Sequence, residues 1–318
     1  MSPPRRLLRD RAAVASGALF LLLALAFFAA PLFASEVAHT TFSESRVSEQ
    51  IVLDGEPTFI VSLLGVPIRP TWEGSYFLGA DEIGRDLMVR LLYGGRNSLV
   101  IGAGAVLLTM LVAVPLALVA GYFRGRVDAL ITRLLDLIWS FPALLLGVVL
   151  GTAVNLYGFE IGPVRLEAGS VVIPIAVIGV VNVPYLARPM RGEVLALREQ
   201  RFVEAARVCG MGPVRIMVSE LLPHLWTGIL VLAPLMFANA VVLESALSFL
   251  GAGVQPPHPS FGTLIADGVD NVALAPHLLL APCVALTLVV LSLGGFGDGV
   301  RRAIDPHRRL GLIEVQGR

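Results

Sequence analysis

The chain has 318 residues, 56% of them hydrophobic and 15% charged, with no net charge. Soluble domains carry nearer a quarter charged residues, so a soluble fold is excluded and a protein crossing the membrane several times is expected. Two cysteines, Cys209 and Cys283, and five scattered histidines supply neither a disulfide framework nor a metal site with ligand spacing.

In chain order, Arg5, Arg6, Arg9 and Arg11 precede an apolar run from about Ala12 to Ala34. The run is longer than a signal-peptide core, and no convincing small-residue cleavage site follows it before Ser35. A retained first helix with its N-terminus in the cytoplasm is therefore expected. From Ser35 to about Gly95 the chain is polar and acid-rich, carrying Glu36, Glu44, Glu49, Asp54, Glu56 and Glu73. Ile51–Leu53, Asp54-Gly55 and Phe59–Val61 predict a small hairpin about a turn. The segment ends in Leu78-Gly79-Ala80-Asp81-Glu82-Ile83-Gly84-Arg85-Asp86, where Asp81 is placed to cap a short amphipathic helix presenting Ile83, Leu87 and Leu91.

Further apolar runs cover about Ser98–Gly121, Ala129–Gly151, Ser170–Leu186, Trp226–Leu250 and Leu278–Phe296, which makes six spans in all. Pro115, Pro142, Pro174 and Pro184 lie inside them. Lipid tolerates such prolines where neighbouring helices repair the backbone, which favours kinked, mutually packed spans around a path. Gly147 and Gly151 suit close helix packing. Glu244 is the one carboxylate deep in a span. An ionised side chain there costs roughly 2.5–3.5 kcal/mol on insertion scales, so Glu244 and Ser245 are expected at a path or gate, with capping of a local turn as the rival reading.

The central loop is the longest polar interruption of the second half. Helix formers run from about Glu193 to Val208, and Gly210 offers a helix stop. Gly212-Pro213 starts a second helix, which Pro223 is expected to close. Ala205 and Ala206 leave a flat face, with Arg201, Glu204 and Arg207 around it at helical spacing. Placing the N-terminus inside puts seventeen of the 24 arginines in or beside cytoplasmic segments, this loop among them.

Glu204-Ala205-Ala206, Gly210 and Leu222-Pro223 resemble the EAA loop of ATP-binding-cassette importer permeases, departing from it at Glu220, where many members carry Ile. Two further stretches are similar to signatures of the dipeptide, oligopeptide and nickel permeases. One is Leu78 to Asp86, with Ala80 where the family has Thr. The other runs from Leu247-Ser248-Phe249-Leu250-Gly251 through Gln255-Pro256-Pro257 to Gly262. Gly297-Asp298-Gly299, a basic tail and Asp305-Pro306 follow in the same style. The resemblance covers about Leu78 to Pro306.

It implies an all-α membrane protein, the type I importer permease fold with six transmembrane helices and a small extracytoplasmic segment between helices 1 and 2. The implied divisions are 1–34, the cytoplasmic N-terminus and first helix; 35–95, extracytoplasmic; 96–300, the permease core with a coupling loop near 193–223; and 301–318, a cytoplasmic tail. It also implies a bacterial inner-membrane permease subunit for di- or oligopeptides. Partners would be a homologous second permease, two cytoplasmic ATPases that carry the ATP and Mg, and an extracytoplasmic substrate-binding protein. Glu204, Ala205, Ala206, Gly210, Leu222 and Pro223 would couple to the ATPase, and Asp81, Glu82, Gly84, Arg85 and Asp86 would form the extracytoplasmic motif.

No catalytic residue and no cofactor are expected in this chain, which lacks a Gly-x-x-x-x-Gly-Lys-Ser/Thr run. The alternatives are a nickel-chelate or other solute permease of the same family, a secondary transporter, and a membrane-embedded enzyme. A secondary transporter usually shows internal repeats and intramembrane ion sites, whereas this chain has no convincing repeat and essentially one mid-span carboxylate, Glu244. An enzyme would need a cluster of reactive side chains that the spans do not supply.

Overall fold

The computed structural model of the protein describes residues 7–53, 56–63, 65–72, 74–161, 164–166 and 170–304. The expected turn at Asp54-Gly55 and the Asp305-Pro306 pair lie outside the described residues. Helix α1 (Arg11–Phe28) begins at Asp10, whose carboxylate accepts the Ala12 and Ala13 amides at 3.1 and 3.2 Å. A short α2 (Ala30–Glu36) continues it. Strands β1 (Gln50–Leu53) and β2 (Glu56–Phe59) pair antiparallel with Leu53 opposite Glu56. The second strand therefore starts earlier than the apolar Phe59–Val61 run implied, its register running from Leu53↔Glu56 to Gln50↔Phe59.

Helix α3 (Leu87–Phe123) is one continuous 37-residue helix. This corrects the expected short interfacial helix: Asp86, not Asp81, is the cap, accepting the Val89 amide at 3.1 Å. Ile83 lies outside the helix and is exposed, while Leu87 and Leu91 are buried. The run expected as a third straight span, about Ala129–Gly151, is broken instead. Helix α4 (Gly125–Trp139) and helix α5 (Ala143–Tyr157) meet at 85°. Pro142 lacks an amide proton and disfavours helical backbone at Phe141, so the ladder stops there. Strands β3 (Phe159–Ile161) and β4 (Val164–Leu166) form a second small antiparallel pair. Helices α6 (Val172–Val181) and α7 (Val183–Leu197) bend by 41° about Asn182, just before Pro184.

Helix α8 (Arg201–Val208) is separated from α7 by Arg198-Glu199-Gln200, so the expected helix from Glu193 to Val208 is interrupted. Helix α9 (Pro213–Phe249) then runs through Pro223 rather than ending there. Its Ile216–Leu221 portion is a π turn in which the Leu222 amide reaches the Met217 carbonyl. Widening the helix immediately before Pro223 relieves the clash its ring would make in a regular turn. Helix α10 (Phe261–Val269) and α11 (Pro276–Ile304) are the last described elements.

Four helices, α1, α3, α9 and α11, are long and apolar enough to cross a membrane, and each bent pair supplies one more crossing if counted as one, giving up to six. α3 and α9 stand between two apolar cores. One joins Ile101, Ala113 and Ala117 to Ile178, Leu186, Val194, Val203, Ile216, Leu225 and Leu247. The other joins Phe27, Leu87 and Leu99 to Val241, Phe261, Leu264, Leu278 and Val289. The crossing of α10 over α9 is close enough that a Cβ on Gly262 would meet the Ser245 carbonyl and lie 2.8 Å from the Phe249 amide. Outward-facing Leu21, Leu22, Leu25, Leu107, Leu111, Leu280 and Leu291 are exposed, as lipid contact requires.

Candidate functional site

The central loop is a rigid bracket. Helix α8 closes with the Gly210 amide on the Arg207 carbonyl at 3.0 Å and the Met211 amide on the Ala206 carbonyl at 3.1 Å. These two bonds form a Schellman motif, and Gly210 supplies its left-handed residue at φ +76°. Pro213 then opens α9. Val203 and Ala206 are buried, together with Ile216, Met217, Leu221 and Leu225. Glu204, Ala205 and Arg207 face outward, and Leu222 is half-buried beside an exposed Pro223. The two alanines therefore do not share one outer face: their roughly 100° separation around the helix sends Ala206 into the core and Ala205 to the surface.

Cations anchor this bracket to the end of α3. Arg198 donates to the Tyr122 carbonyl at 2.5 Å. The Arg198 and Arg207 guanidinium groups stand 5.9 and 5.5 Å from the Tyr122 ring centroid. Arg124 pairs with Glu199 at 2.7 Å, and Phe202 stacks on His224 at 4.8 Å. Arg191 clasps Asp128 of α4 with two bonds of 2.5 and 2.6 Å, the fork geometry that makes such pairs directional. Glu204, flanked in sequence by Arg201 and Arg207, makes no ion pair with a described residue. Beside α8, Val208 (84% exposed), Val214 (68%) and Val218 (57%) stand in solvent. Val214 and Val218 line an open groove of about 550 Å³. Exposed valines among arginines are what a partner protein can bury.

At the opposite end of α3, the Leu78–Asp86 motif is an internal tie. Asp81 Oδ1 accepts the Ile83 and Arg85 amides at 3.1 and 2.9 Å, and its Oδ2 takes Arg85 Nε at 2.7 Å and Arg90 Nη1 at 2.5 Å. Arg90 also reaches Asp267 of α10 at 3.3 Å, and Asn271 donates to Glu82. Burial pushes the Asp267 carboxyl up, against the nearby Arg85. Asp86 accepts the Tyr76 amide at 2.6 Å besides capping α3, and burial likewise pushes its carboxyl up. Burial drives the Tyr76 phenol to about 12. Gly84, at φ +73°, lies so near residues 46 and 47 that a Cβ would fall 2.8 Å from the Val47 amide. Asp267 and Asn271 were missed from sequence because they meet Arg90 and Glu82 only across 177 and 189 residues, and Arg90, nine residues from Asp81, because no helical or turn spacing links the two.

Glu244 and Ser245, expected at a path or gate, lie in the packed interior where α3, α9 and α10 cross. Both are buried inside this subunit, Glu244 completely. Ser248 donates to Glu244 Oε1 at 2.7 Å, and Ser245 lies 3.4 Å from Oε2. The hydroxyls of Ser98 of α3 and Ser260, the cap of α10, stand beside the same carboxylate. Hydroxyls from three elements thus surround a carboxylate whose burial would otherwise carry a large cost. Ser260 could have been flagged in sequence by Thr263 three residues on, with which it forms a capping box.

Residues 113–310 match the family model described as binding-protein-dependent transport system inner membrane component. Over 303 residues the chain is 31% identical to the glutathione transport system permease protein GsiD of Pectobacterium atrosepticum, covering 95% of this chain and 89% of that protein. It is 36% identical over 240 residues to the oligopeptide transport system permease protein OppC of Haemophilus influenzae, covering 76% of this chain and 73% of that one. Among solved structures, an inward-facing form of the MetNI methionine ABC transporter superposes with a TM-score of 0.55 at 19% identity, over 69% of this chain and 98% of that chain, a likeness of fold.

Proposed function

As the chain belongs to the family of inner-membrane components of binding-protein-dependent transport systems, we propose that it is the permease subunit of an ATP-driven peptide importer. The observation that carries this reading is the α8 bracket. Its own chain holds it rigidly through Tyr122 and the Schellman turn, yet it leaves Glu204, Ala205, Val208, Val214 and Val218 outward for another protein. Docked on a cytoplasmic ATPase, α8 transmits closure of that partner to α9, because Gly210 to Pro213 is a fixed turn with no slack. The π turn at Ile216–Leu221 is where α9 can adjust its winding as it moves.

A second, homologous permease completes the path, and an extracytoplasmic binding protein delivers the peptide at the end of the molecule built from 35–95. ATP and Mg reside on the ATPases, and this chain performs no chemistry on its cargo. Asp81, Glu82, Gly84, Arg85 and Asp86 shape the delivery end by tying it to α10 rather than by contacting substrate. The inner membrane is the site of action, with both termini cytoplasmic.

Uptake of labelled tripeptides into de-energised vesicles tests this. ATP alone should sustain it in the assembled complex. Uptake that instead follows an imposed ion gradient, and ignores ATP, would make the chain part of a secondary carrier.

A further inference from the structure

We propose that the recess where the α4–α5 and α6–α7 pairs both break binds the main-chain amides of the peptide in transit. This rests on the importer reading above and gives it a contact site. The recess, about 360 Å³, is lined by Trp139, Ser140, Phe141, Asn182, Tyr185 and Asn239 among others. Its depth follows from helix rise. Asn182 ends the ten-residue α6, and Asn239 stands ten residues before the end of α9 at Phe249. Each is thus about 15 Å from the end of its helix nearest the 35–95 segment. That is half of a hydrocarbon layer about 30 Å thick.

Three features set this place apart. First, Ser140, Phe141 and Pro142 interrupt a helix at membrane depth and are exposed on this subunit. Non-helical backbone survives there only against protein or beside a water-filled cavity. Second, the Asn182 and Asn239 side-chain amides make no hydrogen bond with a described residue, although Asn182 is 7% exposed. An amide side chain both donates and accepts, so two of them facing one cavity complement the N–H and C=O of a peptide bond. Third, the recess carries no net charge. At its edge Arg188 pairs with Asp136 at 2.5 Å, its guanidinium laid over the lining Trp139 at 4.4 Å. Trp139 in turn lies parallel to Tyr185, 6.4 Å between centroids. Neutral amides beside aromatic planes read the main chain and ignore the charge of the cargo's side chains.

The test is uptake of trialanine, Ala-Glu-Ala and Ala-Arg-Ala by cells in which the variant replaces the native gene. Asn239 is exposed, so Asn239→Leu should fold, and equal amounts of assembled complex confirm it. The expected result is at least a tenfold loss of uptake for all three peptides, partly restored by Asn239→Ser. Leu111→Ala, on the outward face of α3, should keep wild-type uptake. Unchanged uptake with Asn239→Leu, or a loss confined to one charge class, would overturn the inference while wild-type uptake keeps the importer reading intact. Failure of the wild type to take up any peptide would instead sink that reading, and this inference with it.

Discussion

Ala205 and Ala206 are neighbours with opposite fates, and a tryptophan at each separates docking from folding. Ala206 is 8% exposed, in one core with Val203, Ile216 and Leu221. Forcing bulk into such a core typically costs about 1–3 kcal/mol, and an indole belongs at the upper end or beyond. Ala206→Trp should therefore lower the melting temperature of the purified complex. Ala205 is exposed, so Ala205→Trp should shift permease stability by no more than about 0.5 kcal/mol. If Ala205 faces an ATPase groove, the same bulk falls in the contact, and about 1–3 kcal/mol there weakens docking roughly 5- to 150-fold.

Gly210 gives an independent check. A Cβ there meets nothing within 4 Å, so the cost is the left-handed backbone alone, roughly 1–2 kcal/mol. Gly210→Asn should be mild and Gly210→Val severe, since a β-branched residue is least at ease at positive φ. The assay is ATP hydrolysis stimulated by loaded binding protein, read beside a thermal melt. The expected pattern is stimulation reduced at least fivefold for both variants, with a normal melt for Ala205→Trp and a modestly lowered one for Gly210→Val. Full stimulation in both assembled complexes would refute the assignment of this loop as the ATPase dock.

Glu244→Gln should leave uptake close to wild type, because the amide can still engage the surrounding serines, whereas Glu244→Ala leaves buried hydroxyls unpartnered at about 1–3 kcal/mol and should lower the melting temperature. Abolished uptake in a stably assembled Gln variant would contradict an internal tie and point back to a gate. For Asp86, burial raises the folded carboxyl, so its stabilising contribution is complete below the unfolded value and is lost as pH rises through the folded one. Asp86→Asn keeps an acceptor for the Tyr76 and Val89 amides but does not titrate. Melting curves across the acid range should therefore favour wild type over the variant increasingly as pH falls, and a difference independent of pH would count against this account.

Much was legible from local pattern alone. Hydrophobic run length declares spans, since no span can bury unsatisfied backbone in lipid, and Gly210 and Pro213 announce their turns because few residues suit those backbone angles. The helical fold needed nothing beyond this, whereas the coupling reading of Glu204–Pro223 came from the resemblance of its residues to a family loop. Proline positions were also plain, but not their consequences. Pro142 breaks its span at 85°, while Pro223 is absorbed by a π turn, because what repairs a missing backbone bond is the neighbouring chain.

Side-chain destinations at equal sequence character were decided only in three dimensions. A hundred degrees of helix rotation buried Ala206 and exposed Ala205. Along the chain Glu244 read as a gate or as a cap of a local turn, because a lone carboxylate in a span looks unsatisfied. Its partners Ser98 and Ser260 come from helices 146 and 16 residues away, and only the crossing of α3, α9 and α10 brings them together. Asp81 similarly read as a helix cap until Arg90 and Asp267 drew it into a buried ion cluster. Capping and turn chemistry act within a few residues and can be read along the chain, whereas satisfaction of a buried charge depends on which helices meet, and that is a property of the packed whole.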